Sequence, residues 1–186
     1  GHTIWRNGEV SVQSLMEDKH GKMWIGVAGG VFVADNGKTA MLKQSESHHI
    51  SAILEDKIGR VWVTSDKGIL LFQDYELKNA YTIKDGLPHN FMTVIHEDSR
   101  GRLWFGGMGG LSEFKDGRFI NYTKNEGLTG NYVRSIYEDA QGTLWIGTYD
   151  SGLSRFRDGQ FVNFTMKDGL FSNGVFQIFE DAKENF

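Results

Sequence analysis

A ten-residue phrase returns along this chain and limits what the chain can fold into. Its clearest copy is Glu138-Asp139-Ala140-Gln141-Gly142-Thr143-Leu144-Trp145-Ile146-Gly147. Glu17-Asp18 leads to Gly21 and Trp24, Glu55-Asp56 to Gly59 and Trp62, and Glu97-Asp98 to Gly101 and Trp104. Glu180-Asp181 opens a fifth copy. Successive glutamates stand 38, 42, 41 and 42 residues apart. Self-similarity at that period means a repeat architecture, and it decides the fold before any local pattern does.

The fourth copy shows what one unit contains. Residues 133–138 alternate and are rich in β-formers, which predicts a first strand, a. Asp139-Ala140-Gln141-Gly142 is a tight turn, with Asp to bond the backbone and Gly for positive φ. Residues 144–148 form strand b. Tyr149-Asp150-Ser151-Gly152 turns the chain into strand c at 153–157. Asp158-Gly159 is a hairpin signal, and strand d covers 160–165. Lys167-Asp168-Gly169-Leu170 leads to the next copy. Four short antiparallel strands in about 42 residues is the pattern of a β-propeller blade. The third copy predicts strands at 91–98, 103–107, 111–115 and 118–123. The second predicts them at 50–56, 61–65, 69–73 and 78–83, and the first at 12–18, 23–27, 31–34 and 39–43.

The expected fold is therefore all-β: a single propeller segment, 1–186, of about four and a half blades. Blade boundaries fall near 9–47, 48–88, 89–129 and 130–171, with the start of a fifth at 172–186. The 24 Gly, one Pro and 13% aromatic residues suit such a turn-rich chain. Trp5-Arg6-Asn7-Gly8 parallels Phe156-Arg157-Asp158-Gly159, so the first residues look like the remnant of a blade. Closing a five-bladed ring would require residues 1–8 to pair with a strand near 175–179. Trp24, Trp62, Trp104 and Trp145 hold one position in strand b, where blades stack face to face, so packing explains them best.

A formal net charge of -4 argues against nucleic acid or an anionic membrane as partner. No apolar run approaches the ~20 residues that span a bilayer, and no signal-peptide pattern stands at the start. With no Cys there are no disulfides and no zinc-thiolate sites, which fits either cytoplasm or periplasm.

In its repeated residues the chain resembles the two-component regulator propeller repeat. The elements are Gly-Leu-x-x-Asn, then Glu-Asp-x-x-Gly-x-Leu-Trp-Ile-Gly-Thr, then Gly-Leu-x-x-Phe and a closing Phe-x-x-Tyr-Thr. The likeness covers roughly 11–186 and is sharpest in the third and fourth copies. In the first two, Gly-Thr becomes Gly26-Val27 and Thr64-Ser65. Such repeats form the periplasmic sensor region of bacterial hybrid two-component systems, many of which regulate polysaccharide use. The resemblance implies a periplasmic, ligand-sensing, non-enzymatic segment that binds a small molecule or oligosaccharide. It also implies further blades, a membrane span and a kinase module elsewhere in a full-length homodimer. The alternatives are a protein-interaction scaffold and, ranked lower, a propeller lyase or hydrolase.

The residues alone supply no catalytic constellation. A catalytic carboxylate pair should be singular, whereas Glu-Asp recurs in every copy. Asp18, Asp56, Asp98 and Asp139 are therefore expected to bind turn amides. The Asp-x-x-Gly-x-x-Trp part is similar to the Asp-box of sialidase-type propellers, which is itself structural. Such enzymes need an arginine cluster, and Arg60, Arg100 and Arg102 fall on a–b turns. The six His show no metal-ligand spacing, and neither metal nor cofactor is expected. Asn121-Tyr122-Thr123 and Asn163-Phe164-Thr165 match the glycosylation sequon, but they are the repeated end of strand d.

The differences between copies gather in the d–a and b–c loops, which emerge on one rim. The ligand-binding candidates there are His49, His89, Asn90, Asn131, Tyr132, Arg134, Tyr149 and Asn173. This mix of imidazole, amide, aromatic and guanidinium groups suits hydroxyl-rich ligands. Asn90, Asn131 and Asn173 share one equivalent position, so a capping role competes with ligand binding. Arg134 is the sharper candidate, because its counterparts Ser51, Thr93 and Phe176 differ, and it could pair a uronate or sulfate.

Overall fold

The structure is a computed structural model that describes residues 11–180. Within them lie four antiparallel sheets of four strands, each following chain order. The first sheet is β1 (Val12–Glu17), β2 (Met23–Val27), β3 (Gly30–Asp35) and β4 (Lys38–Met41). The second is β5 (Ile50–Glu55), β6 (Val61–Ser65), β7 (Gly68–Gln73) and β8 (Glu76–Tyr81). The third is β9 (Met92–Glu97), β10 (Leu103–Gly107), β11 (Gly110–Lys115) and β12 (Arg118–Tyr122). The fourth is β13 (Val133–Glu138), β14 (Leu144–Thr148), β15 (Leu153–Arg157) and β16 (Gln160–Phe164). The innermost strands β1, β5, β9 and β13 lie side by side, as blades around an axis require.

The d strands depart from expectation for local reasons. β8 starts at Glu76 rather than residue 78, because Asp74 and Tyr75 both take positive φ (52° and 64°) and close a two-residue hairpin. β4 ends at Met41 because Lys43–Ser45 forms a 3₁₀ turn. The remaining d strands stop before Thr82, Thr123 and Thr165. Each threonine caps a 3₁₀ turn in a reciprocal capping box with Asp85, Glu126 or Asp168, and a left-handed Gly ends that turn. Residues 171–180 contain no strand. Val175 N–H nevertheless donates to Thr148 O, and Ser135 Oγ donates to Val175 O, so this segment lies where the next blade's first strand would run. The expected pairing of residues 1–8 and the Asp181 copy lie outside the described residues.

The repeated phrase acts through one carboxylate. Asp98 Oδ1 accepts the Arg100 and Arg102 amides at 3.0 and 2.8 Å, and Oδ2 accepts the Trp104 indole N–H at 3.0 Å. Asp18, Asp56 and Asp139 repeat this with Trp24, Trp62 and Trp145. The glutamate before each Asp reaches the other way. Glu55 accepts the Lys19 amide, Glu97 the Lys57 amide and Glu138 the Ser99 amide, so each blade grips the turn of the one before it.

Three of the indoles thus held, those of Trp24, Trp62 and Trp104, are packed against the next blade. Trp62 meets Phe105 at 5.4 Å and Phe114 at 5.1 Å, and Trp104 meets Phe156 at 5.6 Å. Trp24, Trp62 and Trp104 are fully buried, while Trp145, on the outer face of the fourth sheet, is half-buried. The glycine two residues beyond the Trp permits this close approach. A Cβ at Gly106 would collide with Val133 of the following blade, and one at Gly26 with Ile50.

Two outcomes follow. Trp104→Ala should cost about 3–5 kcal/mol in urea denaturation, and Trp145→Ala clearly less. Burial alone would raise the Asp98 carboxyl. The Trp104 indole, the Arg102 amide and the Arg102 guanidinium outweigh it and hold the acid below the usual range, and the other three turn carboxyls are likewise lowered. A depressed folded-state value means that stability is fully present above the ordinary carboxylate range and lost as pH falls through and below it. Melting temperature should therefore drop steeply below about pH 4, and Asp98→Asn should start lower and fall less steeply.

Candidate functional site

The innermost strand of every blade is interrupted at its second residue. In β13, Val133 pairs with Thr148 and Ser135 with Gly147, which leaves Arg134 unpaired. The same break leaves Gln13, Ser51 and Thr93 unpaired in β1, β5 and β9. Such a bulge turns the extra residue away from its strand's regular alternation. All four residues line one cavity of about 580 Å³, within the usual range for small-molecule sites of roughly 300–1,000 Å³. His49, Phe91, Ala28 and Asp66, from the d–a and b–c connections, complete most of its wall.

The positive charge in this cavity is Arg134, with the Asp66 carboxylate also in its wall. Its Nη1 donates to Tyr132 Oη at 3.2 Å, and its guanidinium lies over the rings of Tyr132 (5.6 Å) and Phe176 (5.9 Å). Its Nε is buried and has no hydrogen-bond partner among the described residues. Tyr132 stacks on Tyr149 at 5.2 Å, Tyr149 meets Phe176 edge-on at 5.6 Å, and Phe91 meets Tyr132 edge-on at 6.4 Å. Tyr149 and Phe176 remain 51% and 55% exposed, so aromatic surface faces solvent beside the guanidinium. Thr93 Oγ1 is spent on Val133 O at 2.8 Å.

Across the cavity, Asp66 accepts the His49 amide at 2.9 Å and faces His49 Nδ1 at 3.2 Å. Burial raises the Asp66 carboxyl, but the His49 amide and imidazole and the Lys67 charge outweigh it and hold the acid low. The imidazole is largely exposed and available to the cavity.

The sequence candidates divide into two groups. Arg134, Tyr132, Tyr149 and His49 come together at or beside the cavity. Asn90, Asn131 and Asn173 do not: each side-chain oxygen accepts the amide that opens a 3₁₀ turn, from Ile83, Lys124 and Met166, at 2.8–2.9 Å. His89 Nδ1 accepts the Phe91 amide, so that ring serves its own loop. The sequon residues Asn121 and Asn163 are engaged as well, donating to Gly86 O and Gly127 O. Sequence reasoning missed Gln13 and Phe91 as wall residues and left Asp66, on the same rim, out of the ligand-binding candidates. For Gln13 the available signal was position, since it holds the second place of its a strand as Ser51, Thr93 and Arg134 do. Among the described residues no three His, Asp or Glu side chains gather as a metal-binding group.

Comparison with known proteins adds to this geometry. Residues 6–29, 86–109 and 127–150 match the family model described as two component regulator propeller. Those three stretches carry the two component regulator propeller pattern. A comparison with curated protein sequences gave no significant match. Among solved structures, the repeats are similar to the extracellular domain of the hybrid two component system BT3049 from B. thetaiotaomicron. The likeness is 26% identity and TM-score 0.75 over 87% of this chain and 24% of that one. The extracellular domain of BT4673 from the same organism gives 19% and 0.63 over 95% of this chain and 34% of the other. Virginiamycin B lyase from Staphylococcus aureus gives 20% and 0.68 over 85% and 56%, a likeness of fold. The propeller repeats thus span about a quarter to a third of the two extracellular domains. They share the propeller fold of these extracellular domains of two-component systems.

Proposed function

We propose that these blades form an extracytoplasmic ligand-sensing segment, and that the axial cavity takes an oligosaccharide bearing an acidic group. One observation carries the proposal. Four bulged residues of unlike chemistry converge on one cavity, and the single charge among them keeps a buried Nε without a partner. A buried donor left unpaired costs about 1–3 kcal/mol, which a ligand acceptor would recover. A guanidinium is suited to a planar carboxylate or a sulfate, and the half-exposed Tyr149 and Phe176 rings offer apolar faces for a sugar ring. The extracellular two-component neighbours support the sensing role. Ligand at the axis would then favour one arrangement of downstream signalling modules in a full-length dimer, a population shift driven by differential affinity.

The exposed His49 imidazole held by Asp66 on the opposite wall favours a second function, a lyase in which His49 acts as general base.

Calorimetric titration with a panel of acidic and neutral oligosaccharides separates the two. Saturable binding of an acidic member, weakened about tenfold or more in Arg134→Ala (about 1.4 kcal/mol) and without turnover, is expected. Binding indifferent to Arg134→Ala, or silence across the panel from a folded chain, overturns the acidic-ligand site. Turnover abolished in His49→Ala establishes the lyase instead.

A further inference from the structure

A second polar cleft opens on the opposite rim, between the third and fourth blades. Its volume is about 210 Å³, and it lies among Arg100, Arg102 and Glu113 of one blade and Gln141, Arg157 and Gly159 of the next. We infer that this cleft binds a small hydroxylated carboxylate of single-ring size, its acid on the arginines and a hydroxyl donating to Glu113.

The same location in the other blade pairs shows what makes this one different. Between the first and second blades the cleft shrinks to about 20 Å³. There Tyr75, from the c–d turn of the second blade, stacks on Trp24 at 5.7 Å, and its hydroxyl donates to Asp18 Oδ2 at 2.9 Å. The position of Tyr75 is occupied in the fourth blade by Gly159, where an added Cβ would meet nothing within 4 Å. Between the second and third blades, Leu71 packs in the apolar cluster that holds Trp62 and Phe105. Leu71 lies across from Trp62, and its counterpart across from Trp104 is Glu113. One cleft is therefore plugged by Tyr75, one has an apolar Leu71, and the third is open with the Glu113 carboxylate at its base.

Glu113 is only 7% exposed, and the contact made by its carboxylate is an acceptance from Tyr122 Oη at 3.2 Å on Oε2. Its Oε1 accepts no hydrogen bond from any described residue. A buried carboxylate needs donors around it, and a hydroxyl entering the cleft would supply one. At the mouth, the Arg100 guanidinium makes no hydrogen bond or ion pair among the described residues. Arg157 is only loosely paired with Asp158, at 3.7 Å. Arg102 spends Nε on Asp98 at 2.6 Å, leaving its two terminal nitrogens. Guanidinium forks above and a carboxylate below call for an acid and a hydroxyl on one compact molecule. A volume below that of ordinary drug-sized sites limits it to about one ring.

The test titrates the 186-residue chain carrying Arg134→Ala, which removes the guanidinium of the axial site, with D-glucuronate, D-glucose and acetate. Glucuronate should bind saturably, with glucose and acetate at least about tenfold weaker. Gly159→Tyr should abolish that binding. The turn tolerates this residue, because Tyr75 already occupies its counterpart at φ 64° against 79° for Gly159. Glu113→Leu, which copies Leu71, should weaken binding at least about tenfold in a protein that still melts cooperatively. No glucuronate binding, binding matched by acetate, or binding unchanged in both variants overturns the inference. None of these results bears on the axial cavity.

Discussion

One aspartate carboxylate in each blade holds two scales of the structure together. Its first oxygen gathers the amides of a four-residue turn, and its second takes the indole N–H of the Trp six residues on. A buried indole needs an acceptor, and a turn with two inward amides needs one as well. A single acid meets both demands and fixes the angle at which the Trp projects toward the next blade. The adjacent glutamate then binds the preceding blade's turn. Local turn geometry and inter-blade packing are thus set by neighbouring residues, and losing the turn would release the Trp.

That coupling explains why the fold was legible. A structural unit that depends on Asp, Gly and Trp at fixed offsets must repeat those residues, and the repetition shows in the chain. β14 and β15 in the fourth blade, and the b strands of all four, fall where the pattern places them. Errors gathered where chemistry was carried by unusual residues. Asp74-Tyr75 closes a tight hairpin without the expected glycine, because both residues accept positive φ. In the first blade Ser45 replaces the capping box, its hydroxyl donating to Leu42 O and accepting the Val31 amide.

The candidate sites were only partly legible, for a related reason. Arg134, Tyr132 and Tyr149 stood out because they differ from their counterparts in other blades. Asn90, Asn131 and Asn173 were drawn toward the ligand by their place on the rim, yet recurrence at one position reflected a shared backbone duty. The meeting of Arg100, Arg102 and Arg157 beside Glu113 was hidden altogether. It depends on two blades facing one another and on Tyr75 having no equivalent at Gly159. Differences between copies pointed to chemistry, and likeness between copies pointed to architecture.

The bulge in each innermost strand has a consequence for how such a protein can change. The unpaired residue belongs to no rung of the ladder, touches neither the Asp turn nor the Trp, and still looks onto the axis. Gln, Ser, Thr and Arg occupy it in successive blades without disturbing the frame. Thr93 apart, whose hydroxyl holds Val133 O of the next blade, substitution there leaves every rung of the ladder in place, so the chemistry facing the axis can change one blade at a time. A propeller built this way can present new chemistry at its axis by exchanging single letters in successive blades.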